Sequence, residues 1–387
     1  MSLASRIVCV TDPLGPGAGC ATLATCAQAV RALEEKVGAH VVEVGVLGNK
    51  AASQLALEQG LSPTWRIPVP CGNLRLAERA LSGIFASHPA TVVLAFGKRA
   101  AQLVSCAMQD TPLVVVLDAP CLSMDVRHAE LAQVLCLNDV LADQACAAGW
   151  LPIRIRPVAP VMPMWRQVPS LDRNSLRSKW NACDDDFVIG VLPLSAGSGD
   201  ALLAFHAMGR FAFAGHGAHL VLDPRLGNAN AVRAFARALN LNERVHFDSA
   251  IECPWKISPA VDVWMSLHDP NYDETALHPC AAAALGAPIL AQSGSFAAAA
   301  IEHQVDGLIA GEGVNACAFA LIQAAKRPEL LAELVVASRV KYAAKNVRDG
   351  FSLAIQECVA RACPEALAVR ALSNTFPADT KFAAAST

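Results

Sequence analysis

The sequence predicts an α/β protein made of two domains, each a doubly wound parallel sheet, which face each other across a cleft. A chain of 387 residues is too long for one ordinary core and fits two domains of similar size. With 54% hydrophobic and only 17% charged residues, it has enough apolar side chains to fill both cores. Short apolar runs alternate with helical stretches along the chain, which is typical of parallel strands buried on both faces.

The first domain is expected to span residues 1–157. The predicted strands are residues 7–10, 41–47, 92–96, 113–117, 134–137 and 153–155, and the predicted helices are residues 18–33, 74–86, 98–108 and 139–148. The strands are continuous apolar runs rather than alternating ones, so both of their faces are expected to be covered by helices.

A proline-rich stretch at residues 156–169, RPVAPVMPMWRQVP, has no helical period and predicts a linker that acts as a hinge. The second domain is expected at residues 158–345, a second hinge near residues 345–351, a last helix from Phe351 within residues 346–372, and a flexible tail at residues 373–387. The predicted strands of the second domain are residues 187–192, 219–222, 245–247, 261–265 and 288–290, and its predicted helices are residues 171–180, 201–208, 281–284, 313–325 and 328–345.

The bulk composition excludes several classes of protein. A formal net charge of −3 argues against a nucleic-acid partner, which would require a clustered basic face. Glycine and proline interrupt every long apolar run, so no transmembrane segment is predicted, and the N-terminus does not have the pattern of a signal peptide. Fourteen scattered cysteines without a C-x-x-C pair argue against zinc, and Cys9, Cys136 and Cys280 are predicted to be small core residues. A cytoplasmic location is expected.

A glycine loop with Gly15, Gly17 and Gly19 follows the first predicted strand. A dinucleotide-binding loop requires the spacing G-x-G-x-x-G and an acidic residue at the end of the next strand. Here the spacing is G-x-G-x-G, and Glu43 lies inside its strand. The sequence therefore argues against an NAD cofactor.

The stretch at residues 261–311 organises the second domain. It predicts a strand, an acidic loop at residues 268–274, a helix of small residues, another strand, a loop with Gly294, a second helix, and an Asp-Gly turn. Polar groups after a parallel strand are where α/β proteins place a ligand. Gly294 can also let the backbone approach a ligand closely.

This order of parts resembles the donor-binding half of GT-B glycosyltransferases of the large retaining family called group one. The resemblance rests on Gly286-Ala287-Pro288, on Gly294 and Glu302, and on the closing turn Asp306-Gly307-Leu308. It implies two Rossmann-like domains, a last helix that returns to the first domain, a nucleotide-sugar donor, and no metal or other cofactor.

Within this resemblance, Glu274 corresponds to the family's first donor glutamate. His278 and the Gly294–Ser295 backbone would lie close to the donor, although His278 could equally be a buried core histidine. The family's second glutamate, which binds the donor ribose through a carboxylate, would fall among residues 281–283, and these are all alanine.

The resemblance also implies a diphosphate site that has lost its usual cations. The family's Arg and Lys would fall among residues 191–197, where neither residue type occurs. The amides around Ser195 and Gly197 could hold phosphate without side-chain charge. Arg225 is the nearest substitute cation, and an ordinary surface arginine is the alternative interpretation.

On the acceptor side, the family has a similar glycine loop, so Gly17 and Gly19 are candidates, with a tight turn as the equal alternative. Lys98 and Arg99 lie at the start of a predicted helix, where the helix N-terminus and the two cations together favour an anion. The alternative interpretation is that both side chains are exposed to solvent and bind nothing. Asp118 stands where the family has a histidine that contacts the donor sugar. It can accept a hydrogen bond from a sugar hydroxyl, or it can be a turn residue.

The expected function is therefore transfer of a sugar from a nucleotide-sugar donor to an unknown acceptor, which could be a glycan, a lipid-linked molecule or a protein. Because three family positions have lost their chemistry, the alternative is a non-catalytic GT-B protein that binds a nucleotide, a glycan or a partner protein. No sequence feature favours a nucleotide-sugar epimerase. The aspartates at residues 184–186 could suggest a D-x-D metal motif, but a polar turn between helix and strand is the preferred interpretation.

Overall fold

The computed structural model describes residues 6–12, 19–37, 41–48, 50–69, 74–107, 111–118, 132–160, 172–192, 200–224, 228–248, 256–267 and 277–363. The described residues form a seven-stranded sheet and a six-stranded sheet. Every pair of neighbouring strands is parallel, and helices follow the strands in both halves. The predicted α/β class with two doubly wound parallel sheets is confirmed.

The first sheet has the strand order β3-β2-β1-β4-β5-β6-β7. Its strands are β1 (Arg6–Thr11), β2 (Val41–Leu47), β3 (Trp65–Ile67), β4 (Val92–Phe96), β5 (Leu113–Leu117), β6 (Gln133–Cys136) and β7 (Ile155–Pro157). The helices of this half are α1 (Gly19–Val37), α2 (Lys50–Glu58), α3 (Leu74–Ser87), α4 (Lys98–Ala107) and α5 (Asp139–Ala147). The central strands β4 and β5 are buried along their whole length, because both of their faces are covered.

The second sheet has the strand order β10-β9-β8-β11-β12-β13. Its strands are β8 (Phe187–Val191), β9 (Ala218–Leu222), β10 (Val245–Phe247), β11 (Val263–Ser266), β12 (Ile289–Gln292) and β13 (Leu308–Ala310). The later helices are α6 (Arg173–Lys179), α7 (Asp200–Phe213), α8 (Ala229–Ala238), α9 (His278–Leu285), α10 (Phe296–Ala299), α11 (Gly313–Ala325), α12 (Pro328–Ala343) and α13 (Lys345–Ala362).

In both sheets the strand order reverses at one place, between β1 and β4 in the first sheet and between β8 and β11 in the second. The helices that leave these neighbouring strands diverge to opposite faces, which opens a crevice at the carboxyl ends of the strands. Ligands of doubly wound sheets bind in such crevices.

The last helix lies on the first sheet. α13 packs against α1, β5 and β6, and its residues Phe351, Ile355 and Val359 are buried in the first hydrophobic core. Gln356 Nε2 donates a hydrogen bond to the carbonyl oxygen of Ala32 at 3.2 Å. The first hydrophobic core therefore contains residues from the last helix as well as from the N-terminal half of the chain.

Several elements differ from the predicted ones. β3, β13, α2 and α8 were not predicted, and α7 continues to Phe213. Pro152–Arg154 is a 3-10 turn, and the strand begins only at Ile155, because proline suits the first position of a helical turn. The segment predicted as a second hinge, residues 345–351, is the first part of α13, and the helical path breaks instead at Ala344.

The three cysteines predicted for the core are confirmed as buried and free. Burial raises the pKa of the Cys136 and Cys280 thiols to about 12, because a thiolate would lose its hydration. These thiols act as small apolar side chains.

Candidate functional site

Polar side chains gather at the carboxyl edge of the first sheet, where the strand order reverses. β1 ends at Thr11 and is followed by Asp12, whereas β5 ends at Leu117 and is followed by Asp118. β4 lies between these strands, and its Phe96 is in register with Thr11. Both carboxylates therefore leave the sheet at the same edge, on either side of β4.

Asp118 is buried and is held by a neighbouring helix. The Thr22 hydroxyl of α1 donates a hydrogen bond to Asp118 Oδ2 at 2.5 Å. Gly97 lies against both residues: its φ is +85°, and a Cβ there would be 3.5 Å from Thr22 Cγ2 and 4.0 Å from Asp118 Oδ1. Asp118 thus joins β5 to α1, and its Oδ1 stands beside the bare backbone of Gly97.

A cation stands beside the other carboxylate. Arg99 Nε lies 3.4 Å from Asp12 Oδ2, and Asp12 is almost fully buried. Lys98 is the first residue of α4 and is half-buried. The helix N-terminus and the two cations favour negative charge here, and Asp12 already supplies part of it.

His278 opens α9 close to the end of β11. Its Nδ1 lies 2.8 Å from the Ser266 hydroxyl, and both side chains are buried. Ser266 is the last residue of β11, so the hydrogen bond fixes the imidazole at the carboxyl edge of the second sheet. This environment resembles that of a core histidine, yet it lies at the place where the strand order reverses.

The three alanines at the positions where the resemblance implies a second donor glutamate are packed into the protein. Ala281, Ala282 and Ala283 are all buried in α9, and Ala281 and Ala283 belong to the apolar cluster that extends into the first sheet. Arg339 Nε donates to the Ala283 carbonyl at 3.1 Å, and a Cβ on Gly286 would lie 2.3 Å from Arg339 Nη2. Small residues here allow α9 to lie close to its neighbours.

The loop after β12 has the predicted glycine at a position that requires it. Gly294 has φ of +85°, a backbone conformation that L side chains rarely adopt. Ser295 is the N-cap of α10, and its hydroxyl accepts a hydrogen bond from the Ala298 amide at 3.0 Å. The Ser295 side chain therefore has a structural role, and the loop offers a ligand mainly backbone.

The Asp-Gly turn after α10 is tied to a later helix. Asp306 Oδ1 accepts from the Glu302 amide at 2.8 Å, and Asp306 also forms an ion pair with Lys341 of α12. Lys341 Nζ donates to the Ala300 carbonyl at 2.7 Å. This part of the resemblance is a structural turn that fixes the edge of the second sheet.

Five predicted site residues lie outside the described residues: Gly17, Ser195, Gly197, Arg225 and Glu274. Gly19 begins α1, so the glycine loop leads directly into that helix. Of the predicted site, the described residues place Lys98 and Asp118 at one carboxyl edge, and His278, Gly294 and Ser295 at the other.

The aspartates at residues 184–186 form a polar turn before β8. Asp186 Oδ2 accepts from the Cys183 amide at 2.7 Å and lies 3.3 Å from His219 Nε2. Across the described ranges, no group of three or more His, Cys, Asp or Glu side chains is arranged to hold a metal ion. In the same part of the chain, no helix is both long and apolar enough to cross a membrane.

The sequence analysis did not identify Asp12, Thr22 or Ser266 as site residues. It named Arg99 but did not identify Asp12 as its partner. Asp12 and Ser266 stand at the ends of strands, so the rule that ligands bind at carboxyl ends could have found both. Thr22 carries no such signal, because only the fold brings it next to Asp118.

Comparison with known proteins supports the architecture only. No family model and no curated protein sequence matches the chain. The solved structure of Anabaena HepE in complex with UDP and glucose matches with a TM-score of 0.65 and 16% identity, over 96% of this chain and 100% of that one. A putative UDP-N-acetylglucosamine 2-epimerase from Listeria monocytogenes matches with a TM-score of 0.65 and 14% identity, over 98% and 100% of the two chains.

A glycosyltransferase from Rickettsia africae is also similar, with a TM-score of 0.59 and 12% identity, over 92% of this chain and 98% of that one. At these identities the likeness concerns the fold. The chain has the GT-B fold, two Rossmann-like domains with one parallel sheet each.

Proposed function

We propose that this GT-B protein transfers a sugar from a nucleotide-sugar donor to a hydroxyl-bearing acceptor, without a metal ion. The observation that carries the proposal is the pair of polar edges: Asp12 and Asp118 on the first sheet, and Ser266 and His278 on the second, each at the place where the strand order reverses. The similar solved structures include HepE, solved with UDP and glucose, and a putative UDP-N-acetylglucosamine 2-epimerase, which supports a nucleotide sugar as ligand.

In this proposal the second domain holds the donor. Glu274 and His278 bind the sugar of the donor, and the backbone of Gly294 and Ser295 approaches its nucleotide. The leaving diphosphate carries developing negative charge, which cations, helix N-termini and oriented amides stabilise best. We assign that stabilisation to Arg225 and to the amides around Ser195 and Gly197.

The first domain positions the sugar and the acceptor. Asp118, oriented by Thr22, accepts a hydrogen bond from a sugar hydroxyl, because an ionised carboxylate is an acceptor only. Lys98 at the start of α4 and the loop that contains Gly17 and Gly19 face the acceptor. Closure of the two edges would exclude water, which strengthens each of these interactions.

A screen of UDP-, GDP- and ADP-sugars by thermal shift tests the binding step. A ligand that binds only the folded protein adds about 2.7 kcal/mol at a concentration of a hundred times its Kd, so the right donor raises the Tm. Donor consumption with a panel of glycan, lipid-linked and peptide acceptors then tests transfer, and activity that persists in EDTA is expected. If no nucleotide sugar raises the Tm, the proposal is wrong.

A second candidate is a GT-B protein that binds a nucleotide sugar or glycan without turnover. It is favoured by the packing of Ala281, Ala282 and Ala283, which leaves no carboxylate where the family binds ribose. The same experiments separate the possibilities: a transferase consumes donor only with an acceptor, an epimerase converts donor alone, and a binding protein does neither. We also propose a cytoplasmic location, which the many free cysteines among the described residues fit.

A further inference from the structure

A groove lies on the second domain between the end of α7 and the segments that enter β9 and β10. Its volume is about 910 Å³, in the range of cavities that hold small molecules. The residues that line it and carry the argument are His206, Arg210, Phe213, His216, Leu239 and Arg244.

The groove is separate from the candidate site. α7 starts after the carboxyl end of β8 and ends at Phe213, and the next residues run into the amino end of β9. Arg244 ends the 3-10 turn that runs into β10. The groove therefore lies towards the amino ends of these strands, whereas the candidate site lies at the carboxyl ends.

The lining of the groove is basic. It has two arginines and two histidines, and no Asp or Glu is among the described residues that line it. Arg210 is exposed, and its guanidinium group makes no ion pair or hydrogen bond with another described residue. The nearby carboxylate of Asp186 lies next to Gly217. It accepts a hydrogen bond from the Cys183 amide and contacts the ring of His219.

The remaining lining is apolar and unusually exposed. Phe213 is 95% exposed at the end of α7, and Leu239 is 57% exposed after α8. The His216 ring stacks on Phe211 at 4.7 Å, and the His206 ring lies 5.9 Å from that of Phe235, so both imidazoles are set among aromatic rings. Covering these side chains would remove apolar surface from water, at roughly 25 cal/mol per Å².

We propose that this groove binds a small anionic ligand with an apolar or aromatic body, such as an organic phosphate monoester. Arginine guanidinium groups bind phosphate through paired N–H donors, and the guanidinium of Arg210 is available for this. Phe213 and Leu239 cover the apolar body. A concave cavity of this volume matches a single molecule better than it matches a flat membrane surface.

Phenyl phosphate is a suitable probe, and isothermal titration of the full chain measures its binding. Arg210→Gln is expected to weaken binding at least tenfold, whereas the matched control Arg237→Gln, an exposed arginine at the end of α8 that does not line the groove, is expected to leave it unchanged. Phe213→Ala is expected to weaken binding several-fold, and Phe319→Ala, at an exposed phenylalanine on α11 that does not line the groove, is the control. Inorganic phosphate and phenol should each bind more weakly than phenyl phosphate.

The proposal does not depend on the glycosyltransferase proposal, because it concerns a different edge of the sheet. Binding of phenyl phosphate that survives Arg210→Gln would place the ligand elsewhere and overturn it. Equal losses in both arginine variants would reduce the effect to overall charge and overturn it too. Flotation with phosphatidylglycerol vesicles that depends on Phe213, without binding of soluble phenyl phosphate, would replace the small molecule by a membrane surface.

Discussion

Asp118 has a structural task at the edge of the first sheet and, in the proposed function, a chemical one. It joins β5 to α1 through the Thr22 hydroxyl, and we propose that it accepts a hydrogen bond from the sugar. Its position could be predicted, because Asp118 directly follows an apolar run, but its partner could not, because Thr22 lies 96 residues earlier. A sequence pattern places ends of strands well and side-chain partners across the fold poorly.

Replacing either member of this pair separates the structural task from the chemical one. Thr22→Val removes the donor from a buried carboxylate and should lower the free energy of unfolding by about 1–3 kcal/mol in urea titrations. Asp118→Asn keeps an acceptor for Thr22, so it should cost less stability, yet it should reduce sugar transfer at least tenfold. Full transfer by Asp118→Asn would show that Asp118 is structural only.

We expect a pair of stacked histidines to make the second domain less stable in acid. His219 Nδ1 and His246 Nε2 are 2.9 Å apart, and burial followed by repulsion from His219 lowers the pKa of His246 from 6.5 to about 4. The unfolded chain therefore binds the proton first, so this contribution to stability is complete above about pH 6.5 and is lost as the pH falls towards 4. Urea unfolding at pH 7.5, 6 and 5 should show a loss on the order of 2 kcal/mol.

His246→Gln is the control for this pH effect. It keeps a polar group beside His219 and removes one of the two titrating rings. Its stability should change less between pH 7.5 and pH 5 than that of the unchanged chain. An identical pH dependence would assign the acid sensitivity to other groups.

At the scale of elements, continuous apolar runs predicted the strands well, and short elements were missed. β4 and β5 were predicted with the bounds that the structure has, because every one of their residues is apolar and buried. β3 has only three residues, too few for a clear pattern, so its formation depends on packing against its neighbours. α8 is amphipathic, with Ala229, Val232 and Ala236 buried on one side, so its helical period was present in the sequence and was overlooked.

The end of α9 depends on a glycine that the sequence also indicated. Gly286 has φ of +79°, and a Cβ there would lie 2.3 Å from Arg339 Nη2. Gly286→Ala should therefore lower the free energy of unfolding by about 1–2 kcal/mol, through left-handed strain and displacement of Arg339. Gly83→Ala is the matched control inside α3, where a Cβ meets nothing within 4 Å, and it should stabilise by roughly 0.5–1 kcal/mol. Equal effects of the two substitutions in urea titrations would contradict this account.

At the scale of the whole molecule, the sequence predicted the GT-B architecture and only part of the site. Each strand and helix is a continuous segment of the chain, so most of their order could be predicted from apolar runs. The candidate site is assembled from elements far apart in sequence, as Asp12 with Arg99 and Thr22 with Asp118 illustrate. In the proposed function, the groups that compensate the donor diphosphate come from separate polar loops, and apolar patterns do not identify such groups.

The return of α13 to the first sheet makes the two ends of the chain interdependent. Ile355 of α13 is buried in the first core, whereas Leu334 of α12 is buried in the second. Each truncation to alanine should cost 2–5 kcal/mol, on the order expected for a buried aliphatic residue. Hydrogen exchange measured by mass spectrometry should then show Ile355→Ala lowering protection mainly in peptides from β5 and β6, and Leu334→Ala mainly in peptides from β8 and β9. Equal loss of protection in both sheets for either variant would mean that the two sheets unfold as one cooperative unit.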